Sequence, residues 1–167
     1  MMARLPLSDW RDFYVTIGTA SGAIVGAAFI VATLASELKE RTVGLRGFIT
    51  PTAVYLGSVL VGSAILTAPT LTPLALAILL GIGGGAGAIY GMVVARRIWG
   101  MNLDFADRAC YVVIPIVAYA AIAAAALFEN VVWTFDALAI ALVVLLIVGM
   151  RNAWDMATFM IGRNREQ

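Results

Sequence analysis

Four hydroxyl side chains are the residues of this chain whose types and spacing best suit chemistry. Tyr55 and Tyr119 each lie one helical turn beyond a proline, and Ser58 and Ser63 follow Tyr55 closely. All four fall within apolar segments, where grouped hydroxyls could line a polar cavity. The alternative is that each phenol simply donates a hydrogen bond to a neighbouring carbonyl group, as buried tyrosines usually do.

A second candidate site is a polar cluster at the end of the last apolar segment. The cluster reads Arg151-Asn152-Ala153-Trp154-Asp155. Arg151 and Asp155 are one helical turn apart and can form an ion pair. Together with Asn152 they could bind a neighbouring protein loop or a lipid phosphate. The alternative is an interfacial anchor, in which Arg151 extends toward the headgroups and Trp154 belongs to the aromatic belt.

Two adjacent basic residues, Arg96 and Arg97, form a third candidate site at the end of the third apolar segment. They could contact an anionic lipid at the cytoplasmic surface. Their simpler role is to signal topology, because cytoplasmic loops carry an excess of Lys and Arg. The loops that hold these and other charges are short and provide little material for a site that excludes water. We therefore expect no catalytic residue and no enzyme activity.

Several kinds of chemistry are excluded by what the chain lacks. It has no histidine and one cysteine, Cys110, which excludes an intrachain disulfide and the usual ligand sets for zinc and haem. Cys110 is best interpreted as a small packing residue. Residues 83–88 contain the pattern G-x-G-x-x-A, but no strand precedes them, so they do not indicate a dinucleotide site. The sequence predicts no metal and no cofactor.

The composition indicates a membrane protein. The 167 residues are 62% hydrophobic and 13% charged, with a mean hydropathy of +0.96. Soluble domains are nearer to half apolar and a quarter charged, so the surplus apolar surface must face lipid or other membrane helices. The net charge of +1 provides no general attraction for nucleic acid. Membrane lipid is therefore an expected partner, and nucleic acid is not.

Five apolar segments are long enough to cross a bilayer, which takes roughly 20 residues. We expect an all-α integral membrane bundle with helices at about 13–35, 47–68, 73–95, 109–128 and 134–153, followed by an interfacial tail at 154–167. The whole chain, 1–167, is predicted to form one membrane domain. A cleaved signal peptide is the alternative for the first segment, but this segment is longer than a signal h-region.

The connections between the segments differ in charge, which predicts the orientation of the chain. Residues 37–46, residues 96–108 and the C-terminal tail hold basic side chains, whereas residues 69–72 and 129–134 hold none. With five crossings, the three basic parts lie on the same side of the membrane. Because cytoplasmic loops carry the excess of Lys and Arg, the N-terminus is predicted outside and the C-terminus in the cytoplasm.

Glycines recur at every fourth residue in the first and third segments. This spacing places each set along one face of a helix, where the missing side chains let a second backbone come close. We expect these faces to be helix-packing surfaces, set against each other within one chain or across a subunit interface. The two sets are Gly18, Gly22 and Gly26, and Gly83, Gly87 and Gly91.

The two glycine segments also belong to a candidate internal repeat. Both read Gly-x-x-x-Gly-Ala-Ile-x-Gly, and each is followed at nearly the same offset by the pattern Pro-x-x-x-Tyr, at 51–55 and at 115–119. The pattern is typical of a duplicated helical hairpin, in which segments one and two repeat as three and four and the fifth is added. The alternative is coincidence, because glycine, alanine and isoleucine are common in membrane helices.

Motifs near both ends of the chain resemble a loose group of small bacterial membrane proteins with no assigned activity. The first is Asp12-Phe13-Tyr14-x-x-x-Gly18-x-Ala20, followed by Gly22 and Gly26, and the second is the cluster at residues 151–155. The resemblance implies a multi-pass protein of the bacterial inner membrane. It brings no function with it.

Three functional classes are compatible with these observations. Small-residue helices, the absence of charged side chains inside the first four segments and the absence of catalytic residues favour a passive channel or a transporter-like protein. We expect it to form a homo-oligomer in which helices one and three are central. An accessory or assembly subunit of a larger membrane complex is the second class, and a lipid-modifying enzyme is the third.

Overall fold

The computed structural model describes residues 10–37, 43–98, 100, 104–128 and 133–163, which are almost entirely helical. Five helices in this part of the chain are long and apolar enough to cross a membrane. The predicted all-α membrane bundle is thereby confirmed. The helices are α1 (Arg11–Glu37), α2 (Val43–Thr67), α3 (Pro73–Ile98), α4 (Phe105–Ala125) and α5 (Thr134–Arg163).

All five helices differ from their predicted bounds by some residues at one end or at both, and the differences in α4 and α5 bear on the candidate sites. α4 begins at Phe105 rather than at 109, and a π-helical segment, Ala109–Val113, lies within it. α5 continues to Arg163, so the predicted interfacial tail is helical as far as the structure describes it. The polar cluster did not end the helix because arginine is a good helix former and long charged side chains can reach the headgroups from a continuous helix.

The helices form two close pairs that α5 joins. α1 packs along α2, and α3 packs along α4, so both predicted hairpins are closely packed pairs. α5 packs against α2 and α4, whereas its contact with α1 and the contact between α2 and α3 are much smaller. The two pairs are therefore held together mainly through α5, and α2 and α3 are only loosely packed on each other.

One face of α5 is buried along most of its length and forms the centre of the core. Leu138, Leu142, Leu145 and Val148 recur at helical spacing and are almost inaccessible. Lipid chains are as apolar as these side chains, so burying them brings little hydrophobic gain within a membrane. Close packing and interhelical hydrogen bonds must therefore supply most of the stability of the bundle.

Glycines let α5 and α2 approach each other. A Cβ atom added at Gly149 of α5 would lie 2.7 Å from the side chain of Leu56 on α2. A Cβ atom added at Gly62 of α2 would lie 3.2 Å from the side chain of Leu142 on α5. Each helix thus supplies a glycine that receives a leucine from the other.

A tyrosine at the start of α1 fixes this helix to the start of α5. The side chain of Tyr14 is fully buried, and its hydroxyl donates a hydrogen bond of 3.2 Å to the backbone carbonyl of Phe135. The rings of Trp10 and Phe13 pack beside it, with centroids 6.1 and 5.3 Å from that of Tyr14. This aromatic group at the start of α1 therefore helps to hold two helices together.

The contact face of α3 contains Gly84 where Gly83 was expected. A Cβ atom added at Gly84 would lie 2.5 Å from the backbone nitrogen of Ala123 on α4, whereas one added at Gly83 would meet nothing within 4 Å. Adjacent helical residues point about 100° apart, so the two positions cannot face the same neighbour. Within the chain, the glycine face of α3 therefore comprises Gly84, Gly87 and Gly91.

The glycines of α1 contact α2 to different extents. A Cβ atom added at Gly18 would lie 2.8 Å from Cβ of Ser63, one at Gly22 would be in ordinary contact with Leu60, and one at Gly26 would meet nothing within 4 Å. The glycine faces of α1 and α3 thus pack on α2 and α4, and not on each other within one chain.

Replacing Gly84 by alanine is expected to destabilise the α3–α4 pair. The added Cβ atom would overlap the backbone of α4, and such overpacking typically costs about 1–3 kcal/mol. Gly83→Ala is the matched control, because its added atom would occupy open space. Thermal unfolding in one detergent should place Gly84→Ala below the wild type and Gly83→Ala close to it. Equal stability of the two variants would contradict this packing.

Candidate functional site

Tyr55 lies at the centre of the bundle and donates a hydrogen bond from α2 to α4. Its side chain is fully buried, and its hydroxyl lies 2.7 Å from the backbone carbonyl oxygen of Tyr111. Tyr111 is four residues before Pro115, and a proline has no N–H to donate to that carbonyl. The Tyr55 hydroxyl therefore supplies the donor that the proline removes from the helix.

The same proline accounts for the irregular turn in α4. The π-helical segment, Ala109–Val113, ends two residues before Pro115. Local π adjustments and side chains of neighbouring helices are the usual ways in which membrane helices tolerate proline. Such π segments are also frequent at functional sites. We therefore interpret the π segment, Pro115 and Tyr55 as one structural unit.

Tyr119 crosses the bundle in the opposite direction, from α4 to α2. Its ring lies against Gly87 of α3, where an added Cβ atom would be 2.2 Å from the ring. Its hydroxyl donates to Oγ of Ser58 at 2.7 Å, and Ser58 donates to the backbone carbonyl of Val54 at 2.8 Å. A side chain at position 87 would displace the tyrosine, so a glycine is needed there.

The two tyrosines lie side by side and connect α2 to α4 reciprocally. Their ring centroids are 6.2 Å apart, and the ring planes are inclined by 55°, within the range of favourable aromatic pairs. Tyr55 bonds a backbone carbonyl, which is the alternative that the sequence left open for both phenols. Tyr119 instead bonds Ser58, one of the predicted hydroxyl residues.

A cleft of about 390 Å³ opens beside Tyr119, between α2 and α3. α2 and α3 supply its walls, and side chains of α4 and α5 complete its floor. Ser58 and Tyr119 are the lining residues that carry hydroxyl groups, and the remaining lining residues are glycines and aliphatic side chains. The aliphatic and glycine lining includes Val54, Gly57, Val61, Leu80, Gly83 and Leu142.

The other two predicted hydroxyl residues, Tyr55 and Ser63, are not among the lining residues of this cleft. Ser63 is buried against Gly18 of α1, and its hydroxyl has no hydrogen-bond partner among the described residues. The four predicted hydroxyl groups are therefore not gathered in one polar cavity. Two of them, on Ser58 and Tyr119, meet at the wall of a largely apolar cleft.

A buried hydroxyl that the sequence analysis missed joins α1 to α2. Ser21 is fully inaccessible and donates a hydrogen bond of 2.6 Å to the backbone carbonyl of Leu56. Serine side chains commonly form such bonds between closely packed membrane helices. Ser21 is three residues beyond Gly18 and lies on the same face of α1. This spacing could have predicted that Ser21 lies at the contact between α1 and its neighbour.

The polar cluster at the end of α5 is paired within the chain. Nη2 of Arg151 lies 3.1 Å from Asp107 of α4, and Nη1 lies 3.2 Å from Asp155. The pair with Asp155 confirms a prediction, whereas the pair with Asp107 was missed. All three side chains are at least a third exposed, so each pair contributes only about 0.2–1 kcal/mol. One guanidinium and two carboxylates sum to a charge of −1, so the three groups together do not attract a lipid phosphate.

The other predicted residues of the polar surface do not join this ion-pair network. Asn152 is fully buried, and neither polar atom of its amide has a hydrogen-bond partner within the described chain. Arg96 and Arg97 are exposed in the last turn of α3, where basic side chains interact favourably with the helix dipole. Among the described residues, the structure therefore pairs Arg151 with Asp155 and adds none of these three residues to the pair.

The fold and its apolar spans define a multi-pass helical membrane protein. Among the described residues, no group of three or more His, Cys, Asp or Glu is placed to hold a metal ion. Comparison with known proteins finds no matching family model, no similar curated protein and no similar solved structure. The function must therefore be argued from the geometry of the chain.

Tyr55→Phe is expected to destabilise the protein because it leaves the carbonyl of Tyr111 without its side-chain donor. The loss of a hydrogen bond to a buried acceptor typically costs about 1–3 kcal/mol. Pro115→Ala restores a backbone N–H that can bond the same carbonyl, so the double variant should recover most of the loss. The measurement is the free energy of unfolding of the two single variants and the double variant in one detergent. Together with that of the wild type, these values give the coupling energy between Tyr55 and Pro115.

Tyr119→Phe is the matched control for this experiment. It removes another buried phenol hydroxyl, whose acceptor is Ser58, and Pro115→Ala offers that serine no new donor. The rescue should therefore be specific to Tyr55. A Tyr55→Phe variant that is as stable as the wild type, or an equal rescue of both tyrosine variants, would show that the proline and Tyr55 are not coupled.

Proposed function

We propose that this protein is a homo-oligomeric integral membrane protein that provides a passive path for a small solute. The observation that carries the proposal is the outward face of α1, which from Thr16 to Ala27 consists of small residues that the rest of the chain leaves exposed. We call it the small-residue face. It comprises Thr16, Thr19, Ala20, Ala23, Gly26 and Ala27.

The small-residue face suits a second helix better than it suits lipid. Small residues let helix backbones come close, and they are enriched where membrane helices pack together. The exposed large side chains of α1, Val15, Phe29 and Ile30, lie toward the two ends of this span. The exposed faces of α3 and α5 carry large side chains farther along the helix, such as Ile82 on α3 and Ile147 on α5. α1 also has the smallest buried share of the five spans, 22%.

The polar groups of the small-residue face are already bonded. The hydroxyl of Thr16 donates to the carbonyl of Asp12 at 2.7 Å, and that of Thr19 donates to the carbonyl of Val15 at 2.8 Å. A partner helix could therefore cover this face without leaving an unpaired hydroxyl hydrogen in an apolar contact, which would be costly. This supports contact with α1 of a second copy.

The passive character of the proposed path is supported by the position of the charges. Ion-coupled transporters usually carry charged side chains inside the membrane, whereas the charged residues of the described helices lie at or beyond the ends of their apolar spans. The centre of one chain is filled by packed side chains, including Tyr55 and Tyr119. We therefore place the path between copies of the chain, along their α1 helices.

An accessory subunit of a larger complex is the second candidate, because the small-residue face could equally receive a helix of a different protein. In that case the purified chain would be a monomer and would conduct nothing. No contact among the described residues favours the third class, a lipid-modifying enzyme. The two leading candidates therefore differ in the mass of the purified protein and in its activity in vesicles.

Ala23→Leu is expected to dissociate the oligomer, because it places a large side chain in the middle of the small-residue face. Ala120→Leu is the matched control, since Ala120 is an exposed alanine on α4. Native mass spectrometry in mild detergent should find a closed oligomer for the wild type and for Ala120→Leu, and monomers for Ala23→Leu. A wild-type monomer would contradict the proposed assembly.

The same three proteins test the proposed path. Vesicles that contain only this protein and are loaded with KCl should lose K⁺ or Cl⁻ down a gradient with the wild type and Ala120→Leu. Ala23→Leu should reduce the flux to that of protein-free vesicles. An oligomer that conducts neither ion nor a small neutral solute such as glycerol would favour the accessory role.

We further propose that the chain lies in a bacterial inner membrane with its N-terminus outside and its C-terminus in the cytoplasm. The basic residues on one set of connections support this orientation. In a Cys110→Ala background, Thr70→Cys in the α2–α3 turn should react with a membrane-impermeant maleimide in intact cells. Gly100→Cys, on the opposite side, should react only after permeabilisation. The reverse pattern would invert the orientation.

A further inference from the structure

The cleft between α2 and α3 is open space within the membrane-spanning part of the protein, and no side chain of the described chain fills it. Its 390 Å³ falls at the lower end of the range of small-ligand sites, about 300–1,000 Å³. We propose that this cleft binds one acyl chain of a membrane phospholipid. The inference concerns a different surface from the small-residue face of α1 and does not depend on oligomerisation.

The length and position of the cleft match one leaflet of a bilayer. On α2 its lining extends from Val54 to Leu66, about 18 Å at 1.5 Å per residue. Leu66 adjoins the α2–α3 turn at residues 68–72, whereas Val54 lies toward the other side of the membrane. Half of the hydrocarbon core is roughly 15 Å thick. The cleft thus begins near one surface and ends just past the midplane, as an acyl chain does.

The width of the cleft favours a hydrocarbon chain over a helix. An α-helix with its side chains is about 10–12 Å across, and a helix crossing this depth would need several times the available volume. An extended acyl chain is only one methylene wide. Gly57 on α2 and Gly83 on α3 face the cleft with no atom within 4 Å of an added Cβ, so both walls are smooth enough for such a chain.

The hydroxyl groups at the cleft wall offer an occupant no hydrogen-bond donor. Tyr119 donates to Ser58, and Ser58 donates to the carbonyl of Val54, so both hydroxyl hydrogens are used within the chain. A ligand carbonyl or phosphate would lose its hydration on entering and gain no donor in return. A hydrocarbon chain has no such requirement, and the wall chemistry therefore selects the apolar part of a lipid.

The open end of the cleft does not select a charged headgroup. The α2–α3 turn, residues 68–72, contains no charged side chain. The hydroxyl of Thr72 accepts a hydrogen bond of 3.2 Å from the backbone N–H of Ala75 and so caps the start of α3. A phospholipid with a zwitterionic headgroup therefore fits this end, and an anionic headgroup has no basic partner there.

The test is retention of lipid by the full chain after reconstitution in phosphatidylcholine bilayers. The protein is extracted, washed with detergent and measured by native mass spectrometry, which counts the phospholipids bound to each chain. The wild type should retain one phosphatidylcholine per chain. Gly83→Leu places a side chain in the cleft, where its Cβ atom meets nothing within 4 Å. It should reduce the retained lipid about tenfold, equivalent to roughly 1.4 kcal/mol.

Gly85→Leu is the matched control. Gly85 lies on the same helix, an added Cβ atom there meets nothing within 4 Å, and the residue does not line the cleft. It should retain lipid as the wild type does. Gly57→Leu fills the cleft from the α2 wall and should reproduce the effect of Gly83→Leu. Unfolding temperatures close to the wild-type value show that the variants have kept their fold.

Four outcomes would overturn the proposal. The first is a wild-type protein that retains no lipid. The second is equal retention by Gly83→Leu and Gly85→Leu, which would place the lipid elsewhere on the surface. The third is an adduct with the mass of a free fatty acid, which would identify a different source for the chain. The fourth is a Gly83→Leu variant that loses a subunit instead of a lipid, which would assign the cleft to a second copy.

Discussion

The hydrogen bonds of two buried tyrosines are the constraint on which the rest of this bundle depends. α2 and α4 have little direct backbone contact, and Tyr55 and Tyr119 bridge the distance between them in opposite directions. Burying apolar side chains from lipid yields little free energy, so helices of this kind need such links. Pro115 and Gly87 make these links possible, because one frees an acceptor and the other leaves room for a ring.

The tyrosines also account for the least filled part of the molecule. Glycines and small residues bring α1 onto α2 and α3 onto α4, with atoms at van der Waals distance. The side chains of Tyr55 and Tyr119 are longer than these small residues. They therefore connect the α1–α2 pair to the α3–α4 pair without bringing α2 into close contact with α3. Gly57 and Gly83 consequently face open space. Two tightly packed helix pairs, connected by two tyrosines, thus leave between α2 and α3 a cleft about the size of one acyl chain.

The sequence predicted what depends on local pattern and missed what depends on how distant helices meet. Apolar runs of membrane length are sufficient to identify five spans. The glycines around Gly84 have no side chains that would indicate which face of α3 turns inward. The sequence therefore could not show that Gly84, and not Gly83, contacts α4. Pro115 signals a freed carbonyl at Tyr111, but its donor comes from another helix. The pair of Arg151 with Asp107 likewise requires the packing of α4 on α5.

The bond from Tyr14 to the carbonyl of Phe135 has a consequence for how the chain is made. Donor and acceptor are 121 residues apart, on α1 and α5, and three other spans lie between them in the sequence. While the middle three helices insert, the phenol of Tyr14 must find temporary partners in headgroups or water at the membrane surface. α1 can therefore adopt its final position against α5 only after α5 has been synthesised.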